Sequence, residues 1–307
     1  MNQHSDLGKV INQLGIRNHF CGDYWQCTCP VHPSDNYNSM TVWKNGIWKC
    51  WTSDCNEKHG NRFEDLVKAL GVNPEDLLKG IQFDREYNEE EVDIELPVIN
   101  ITREQIRSRL KIPSEYYLYR GFSAETLDKF DVGDCHSKEM KDRAVFPIYN
   151  QDYNLVGCAG RSLLNKSYVP KWKFSKNFRS GATFFSINHA YESILRTGTA
   201  VLVEGMSDAM RLQEYGIQNA IGCLGAKLSR GQVKLLNSMG VTNIVIALDP
   251  DPTTVVNGVV KEGTGPMRTR QIIERYKDEF NFVPIELKSD PDELPRNEAE
   301  RIFGNYV

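Results

Sequence analysis

No run of 18 apolar residues occurs in the 307-residue chain, which excludes a membrane-spanning helix by length alone. The amino terminus, MNQHSDLGKV, lacks the charged flank followed by an apolar core that a secretory leader needs. The chain is therefore expected to stay in a reducing cytoplasm. No internal repeat and no low-complexity tract is present, so a repeat architecture is not expected. The phosphate-cradling pattern Gly-x-x-x-x-Gly-Lys-Ser/Thr is missing, which excludes a P-loop motif from these residues. Overall charge has no strong sign: 37 basic side chains stand against 41 acidic ones, for a net of −4. That balance speaks neither for nor against a nucleic-acid partner.

A local absence is more informative. From Tyr153 to Tyr191 there is no acidic residue, while Arg161, Lys166, Lys171, Lys173, Lys176 and Arg179 fall within the stretch. Tyr168, Trp172, Phe174 and Phe178 are interleaved with them. Cations neutralise backbone phosphates, and aromatic faces stack on exposed bases. An isolated run of this kind is usually a solvated face. Its place just before an acidic block favours a template or nucleotide path instead.

Cysteine is plentiful but uneven. Five of the eight, Cys21, Cys27, Cys29, Cys50 and Cys55, fall in the first 55 residues. In a reducing compartment such clustering points to metal binding rather than disulfides. Cys29 and His32 lie close enough to form one ligand pair on a tight turn. SMTVW and IWKCW alternate as strands and flank Asn45-Gly46, a strong hairpin signal. Cys50 leaves the second strand, and Cys55 follows. A Cys₃His tetrahedral zinc site on a ribbon hairpin accounts for this spacing. Cys27 in place of Cys29, or His59 in place of Cys55, would satisfy the same chemistry. The block ends in NRFEDLVKALG, where Asn61 and Glu64 suggest a capping box and Phe63, Leu66, Val67 and Leu70 form one apolar face.

The composition divides the chain into residues 1–80, an acidic linker 81–97 containing FDREYNEEEVDIELP, a basic block 98–195 and a final block 196–307. In the last block TAVLVEG, NAIGCLG, NIVIALD and FVPIEL read as strands. They alternate with helices over SDAMRLQEYG, SRGQVKLLNSMG and PMRTRQIIERYKDE. That alternation predicts an α/β fold with a parallel sheet covered by helices. Ligands in such sheets sit at the carboxyl ends of the strands. Glu204, Asp249 and Asp251 all fall there, as does KSDPDELP, which carries Asp290 and Asp292. Singly, Asp208 or Asp290 would be an ordinary turn or cap residue. As a set on one sheet edge, these acids repel unless cations neutralise them. Two divalent ions can clamp the attacking and leaving oxygens of a phosphoryl or nucleotidyl transfer. Pattern alone leaves a phosphotransfer enzyme, a hydrolase and a nuclease open.

LVEGMSDAM, GCLGAKLS, IVIALDPD and KSDPDELP, in this order, resemble the Toprim domain shared by DnaG-like primases, topoisomerases and some nucleases. The cysteine block, with its Cys-Pro-x-His start, resembles the zinc-binding domain of the primases. YLYRGFSAETLDKFDVG (117–133), DRAVFPIYNQDYNLVGCAGRSL (142–163) and PKWKFS (170–175) are similar to their polymerase domain. The resemblance implies that Glu204, Asp249 and Asp251 are catalytic, metal-binding positions, with Asp208, Asp290 and Asp292 completing a site for two Mg²⁺ or Mn²⁺ ions. It implies one structural zinc on Cys29, His32, Cys50 and Cys55. Arg120, Arg161 and Lys171 would line the template or nucleotide path, joined by Lys173, Lys176 and Arg179. The expected activity is synthesis of short RNA primers from ribonucleoside triphosphates on single-stranded DNA, with no membrane involved. A replicative helicase would be a separate partner, and the short form suits a phage or other mobile element. The rivals are a Toprim nuclease or nicking enzyme and a non-catalytic single-strand binder. A topoisomerase would want a nucleophilic tyrosine in a further domain. This chain departs from the primase pattern in five places: the Cys50–Cys55 spacing, Phe174 for Asn, the lack of a Lys near Ser180, Pro250 for Gly within the Asp-x-Asp, and the insert 252–265.

Overall fold

A computed structural model describes residues 4–21, 24–32, 39–50, 55–81, 83, 99–164, 169–176, 178–225, 228–250, 254–256, 259–261 and 263–307. Asp251, Lys166, Tyr168, the loop 51–54 and nearly all of the expected linker lie outside the described residues. The chain forms two compact units, Met1–Val92 and Asp93–Val307. Among the described residues, no helix is long and apolar enough to cross a membrane.

The first unit is built on an antiparallel sheet in the order β1 (Asn18–Phe20), β2 (Tyr24–Cys27), β3 (Met40–Trp43), β4 (Trp48–Cys50). The hairpin predicted at Asn45-Gly46 joins β3 to β4. The Gly46 N–H donates to the Trp43 carbonyl (3.0 Å), the Trp43 N–H to that of Ile47 (2.9 Å), and Gly46 takes φ +78°. Those bonds define a three-residue loop, which needs a left-handed residue at its end; glycine adopts that conformation without steric cost. The capping box expected from Asn61 and Glu64 sits one residue later. Asp65 accepts the Arg62 N–H at 3.1 Å at the start of the helix Phe63–Ala69, because Asn61 still belongs to the segment bonded to Trp48. Phe63, Leu66 and Val67 from that helix pack with Trp25, Met40, Val42 and Trp48. A helix not foreseen from the sequence, His4–Gln13, adds Leu7, Val10 and Ile11 to the same core.

The second unit holds an antiparallel sheet and a parallel one. The first runs β5 (Gly133–Cys135), β6 (Arg143–Tyr149), β7 (Leu155–Ser162), β8 (Trp172–Phe174). The parallel sheet contains β9 (Thr199–Val203), β10 (Ala220–Gly222) and β11 (Asn243–Ala247). The insert contributes a small antiparallel pair, β12 (Thr254–Val256) and β13 (Val259–Lys261), before the last parallel strand, β14 (Asn281–Pro284). The parallel order is β10-β9-β11-β14. Helices Met206–Glu214, Arg230–Ser238 and Thr264–Tyr276 connect these strands, giving the alternation expected from the sequence. Side chains of a strand point alternately to its two faces. Val201, Val203, Val245 and Ala247 meet Tyr117, Phe146 and Phe185 in one core cluster. Ala200, Leu202, Ile244 and Ile246 meet Val233, Leu236 and Ile272 in another. Both faces are thus covered, which is why these strands read as continuous apolar runs. Blocks 98–195 and 196–307 share the first of these cores.

Candidate metal centres and nucleic-acid cleft

In the first unit, Cys29, His32, Cys50 and Cys55 each offer one ligand atom, and the four atoms lie within 4.8 Å of one another. His32 Nδ1 is 3.2 Å from Cys55 Sγ and 3.8 Å from Cys50 Sγ. β3 and β4 register Met40 opposite Cys50, and the helix Cys55–His59 begins at its own ligand. Asn56 fixes this corner by accepting the Cys50 N–H at 3.1 Å. Cys27, the alternative to Cys29, is buried two residues earlier, at the end of β2, and donates to the Trp25 carbonyl. His59, the alternative to Cys55, is exposed at its helix end. Burial pushes the Cys29 thiol up to about 12, and the neighbouring Cys50 and Cys55 add to the rise. Buried thiols so disposed become thiolates only with a cation among them. The donor set and its spacing therefore fit a tetrahedral Cys₃His ion such as zinc.

The second centre lies where the parallel sheet ends. β9 stops at Val203, and Glu204 and Gly205 turn the chain into the helix Met206–Glu214. Asp208 is buried at the third position of that helix. Its Oδ2 accepts the Gly205 N–H at 2.8 Å, and its Oδ1 accepts the Asp292 N–H at 3.3 Å. Burial raises the Asp208 carboxyl well above the usual range, and Asp249, Asp292 and Asp290 push it the same way. β11 delivers Asp249, and the loop after β14 delivers Asp290 and Asp292. Asp290, Asp292 and Glu293 bring one oxygen each within 4.8 Å of one another. Glu293 was not singled out from the sequence, although it sits inside KSDPDELP. Glu204 Oε1 accepts from Arg268, while its buried Oε2 has no hydrogen-bond partner among the described residues. An orphaned carboxylate oxygen beside other acids is the expected mark of an oxygen-ligand cation site.

Glu204, Asp208, Asp249, Asp290, Asp292 and Glu293 all line one cleft of about 620 Å³. Arg120, Arg161, Lys171, Trp172 and Phe174 line it as well. Arg120 pairs with Asp292 at 2.8 Å. Arg161 donates to the Tyr116 hydroxyl at 2.7 Å and lies over the rings of Tyr116 and Trp172, at 5.1 and 5.8 Å. Buried Arg143 supports this wall from inside the sheet, donating to the carbonyls of Gly160 and of Pro170, next to Lys171. Lys173 turns to Glu139 instead, and Lys176 and Arg179 are exposed residues outside the cleft lining. Arg211, overlooked in the sequence, stacks on Phe122 at 3.7 Å and donates to the backbone carbonyls of Arg120, Gly121 and Asp292. It therefore fixes Arg120 and Asp292 through their backbones.

Close packing also sets Asp249. A Cβ on buried Gly265 would lie 1.8 Å from the Asp249 carbonyl oxygen, and a backbone atom cannot retreat as a side-chain end can. Gly265→Ala is expected to destabilise the second unit by about 1–3 kcal/mol and to displace Asp249. Thermal melting and Mn²⁺ binding of the variant check this; an unshifted midpoint would contradict it.

Residues 198–283 match the Toprim domain family. The acid-rimmed parallel sheet is that domain. Beyond those residues the chain is similar to bacterial DNA primases. It is 26% identical over 278 residues to the DNA primase of Aquifex aeolicus, covering 75% of this chain and 54% of that one. For the Thermotoga maritima DNA primase the identity is 27% over 263 residues, covering 82% and 40%. For that of Clostridium acetobutylicum it is 27% over 171 residues, covering 55% and 27%. The chain thus spans about half or less of the length of these relatives. In fold it is similar to the zinc-binding and RNA polymerase domains of Aquifex aeolicus primase, with TM-score 0.56, 21% identity and coverage of 98% and 83%. A DnaG primase catalytic domain bound to single-stranded DNA aligns with TM-score 0.50 and 20% identity, covering 62% of this chain and 69% of that one.

Proposed function

We propose that this chain is a DNA primase that reads single-stranded DNA and joins ribonucleoside triphosphates into short RNA primers. The observation that carries the reading is the shared cleft: six carboxylates, three cations and two aromatic rings converge on the Toprim sheet edge of a DnaG-like chain. Glu204 and Asp249, with Asp251, are the residues to hold divalent ions, and Asp208, Asp290, Asp292 and Glu293 complete the acidic set. Bound Mg²⁺ or Mn²⁺ would supply charge neutralisation at the reacting phosphate and a lowered pKa for the attacking hydroxyl. The chain's own part is positioning. Arg161 and Lys171 present fixed positive charge to phosphates, and Trp172 and Phe174 present flat faces to bases. Arg120, held by Asp292, adds charge close to the acids. Lys173, Lys176 and Arg179 extend the basic surface beyond the cleft, toward a longer strand. The zinc-ribbon unit contacts the template, and a separate helicase delivers it.

Labelled ribonucleotide incubated with the full chain, single-stranded DNA and Mg²⁺ or Mn²⁺ tests the reading. Template-dependent incorporation is expected. Cleavage of the DNA would identify a Toprim nuclease, and binding without chemistry would identify a single-strand binder.

A further inference from the structure

The helix Thr264–Tyr276 starts against Asp249, where Gly265 admits the close approach of the two backbones. One turn later Arg268 donates from Nη1 to Glu204 Oε1 at 2.9 Å, and both side chains are about three-quarters buried, exposing 24% and 26%. Glu204 Oε2 remains buried and without a hydrogen-bond partner among the described residues. A carboxylate removed from water needs compensation on both oxygens. Glu204 receives it on one, from a fixed cation that the chain itself supplies. Arg268 does not line the cleft, so it leaves that space to substrate.

We propose that Arg268 is a positioning residue and resident countercharge for Glu204, holding Oε1, leaving Oε2 for a divalent ion and lowering the affinity of the site for that ion. This rests on the reading of Glu204 as a cation ligand. Two effects oppose each other. The ion pair orders the Glu204 side chain, which favours ion binding by the rotamer entropy of one residue. A divalent ion on the same carboxylate would also stand a few ångströms from the guanidinium, and at the reduced effective dielectric of this largely buried pair that repulsion is the larger effect. Repulsion therefore prevails. The ion binds weakly alone and more strongly once a triphosphate brings negative charge into the cleft.

Mn²⁺ binding to the full nucleotide-free chain, followed by electron paramagnetic resonance at fixed ionic strength, tests this. Arg268→Gln keeps a donor for Oε1 and removes the charge; it should tighten Mn²⁺ binding by roughly tenfold. It should also enlarge the rise in melting temperature that Mn²⁺ produces relative to EDTA. Arg268→Lys keeps the charge and should stay within about twofold of the parent, since the repulsion persists. Arg268→Met serves as a second neutral variant if the glutamine form does not fold. The gain should vanish in a Glu204→Gln background, as coupling between contacting residues requires. Unchanged or weaker Mn²⁺ binding in a folded neutral variant overturns the proposal. No Mn²⁺ on any of the proteins overturns the cation site and this proposal with it. Tighter binding in a chain that makes no primer upholds Arg268 in this role and removes the primase reading.

Discussion

Asp249→Asn is expected to cut ribonucleotide incorporation by about 10²- to 10³-fold or more, the usual cost of losing one centre of charge stabilisation in an active site. Asparagine keeps the size and one oxygen of the side chain, so the close packing of Asp249 against Gly265 should survive. What disappears is a negative charge in a cleft that already crowds several. Without cations that crowding is unfavourable. The Asp208 carboxyl beside it is pushed up first by burial and next by Asp249 itself. The variant should therefore melt in EDTA at the parent's temperature or slightly above it, while losing Mn²⁺. A residue that only capped a turn would behave the opposite way, with lower stability and intact chemistry. Full incorporation by Asp249→Asn would remove the acidic rim from the mechanism. Glu204→Gln gives the parallel test from the neighbouring strand.

Much of this was legible in the sequence, for definable reasons. The strand–helix alternation after residue 196 was readable because both faces of β9 and β11 are buried, which makes their apolar runs continuous. The cluster of Cys29, His32, Cys50 and Cys55 was readable because short-range spacing and a hairpin bring the four together. Their exact membership was not, since Cys27 sits only two residues from Cys29 and is buried in the same core. The capping box slipped by one residue because a backbone bond from Trp48 to Asn61 competes for that position. Arg211 and Arg268 carried no local signal at all. Each acts across a tertiary gap of dozens of residues, Arg211 on residues 120, 121 and 292 and Arg268 on residue 204. The basic stretch was read as one surface. In the fold, Lys173 turns to Glu139 and lies outside the cleft that Lys171 lines.

Disrupting the Cys₃His cluster of the first unit is expected to have the largest effect on folding. Cys50→Ser should reduce bound zinc from one per chain to none and unfold residues 1–92, while the second unit keeps its own melting transition. Cys29 and His32 follow β2, Cys50 ends β4 and Cys55 opens a helix, so one ion would tie these separate segments at one point. A structural zinc contributes roughly 10–16 kcal/mol to such small domains. The whole stability of an ordinary domain is only about 5–15 kcal/mol, so the apolar core around Trp48 and Phe63 is not expected to compensate. Serine at position 50 offers a poorer ligand in nearly the same volume, which separates loss of the metal from loss of packing. Cys55→Ser should behave the same way and His59→Ala should not, because His59 lies outside the ligand cluster. Zinc measured by atomic emission, together with melting followed by circular dichroism, decides the matter. One zinc retained per chain in Cys50→Ser would break the ligand assignment. Loss of zinc with an unchanged first transition would show that the apolar core holds this unit without the ion.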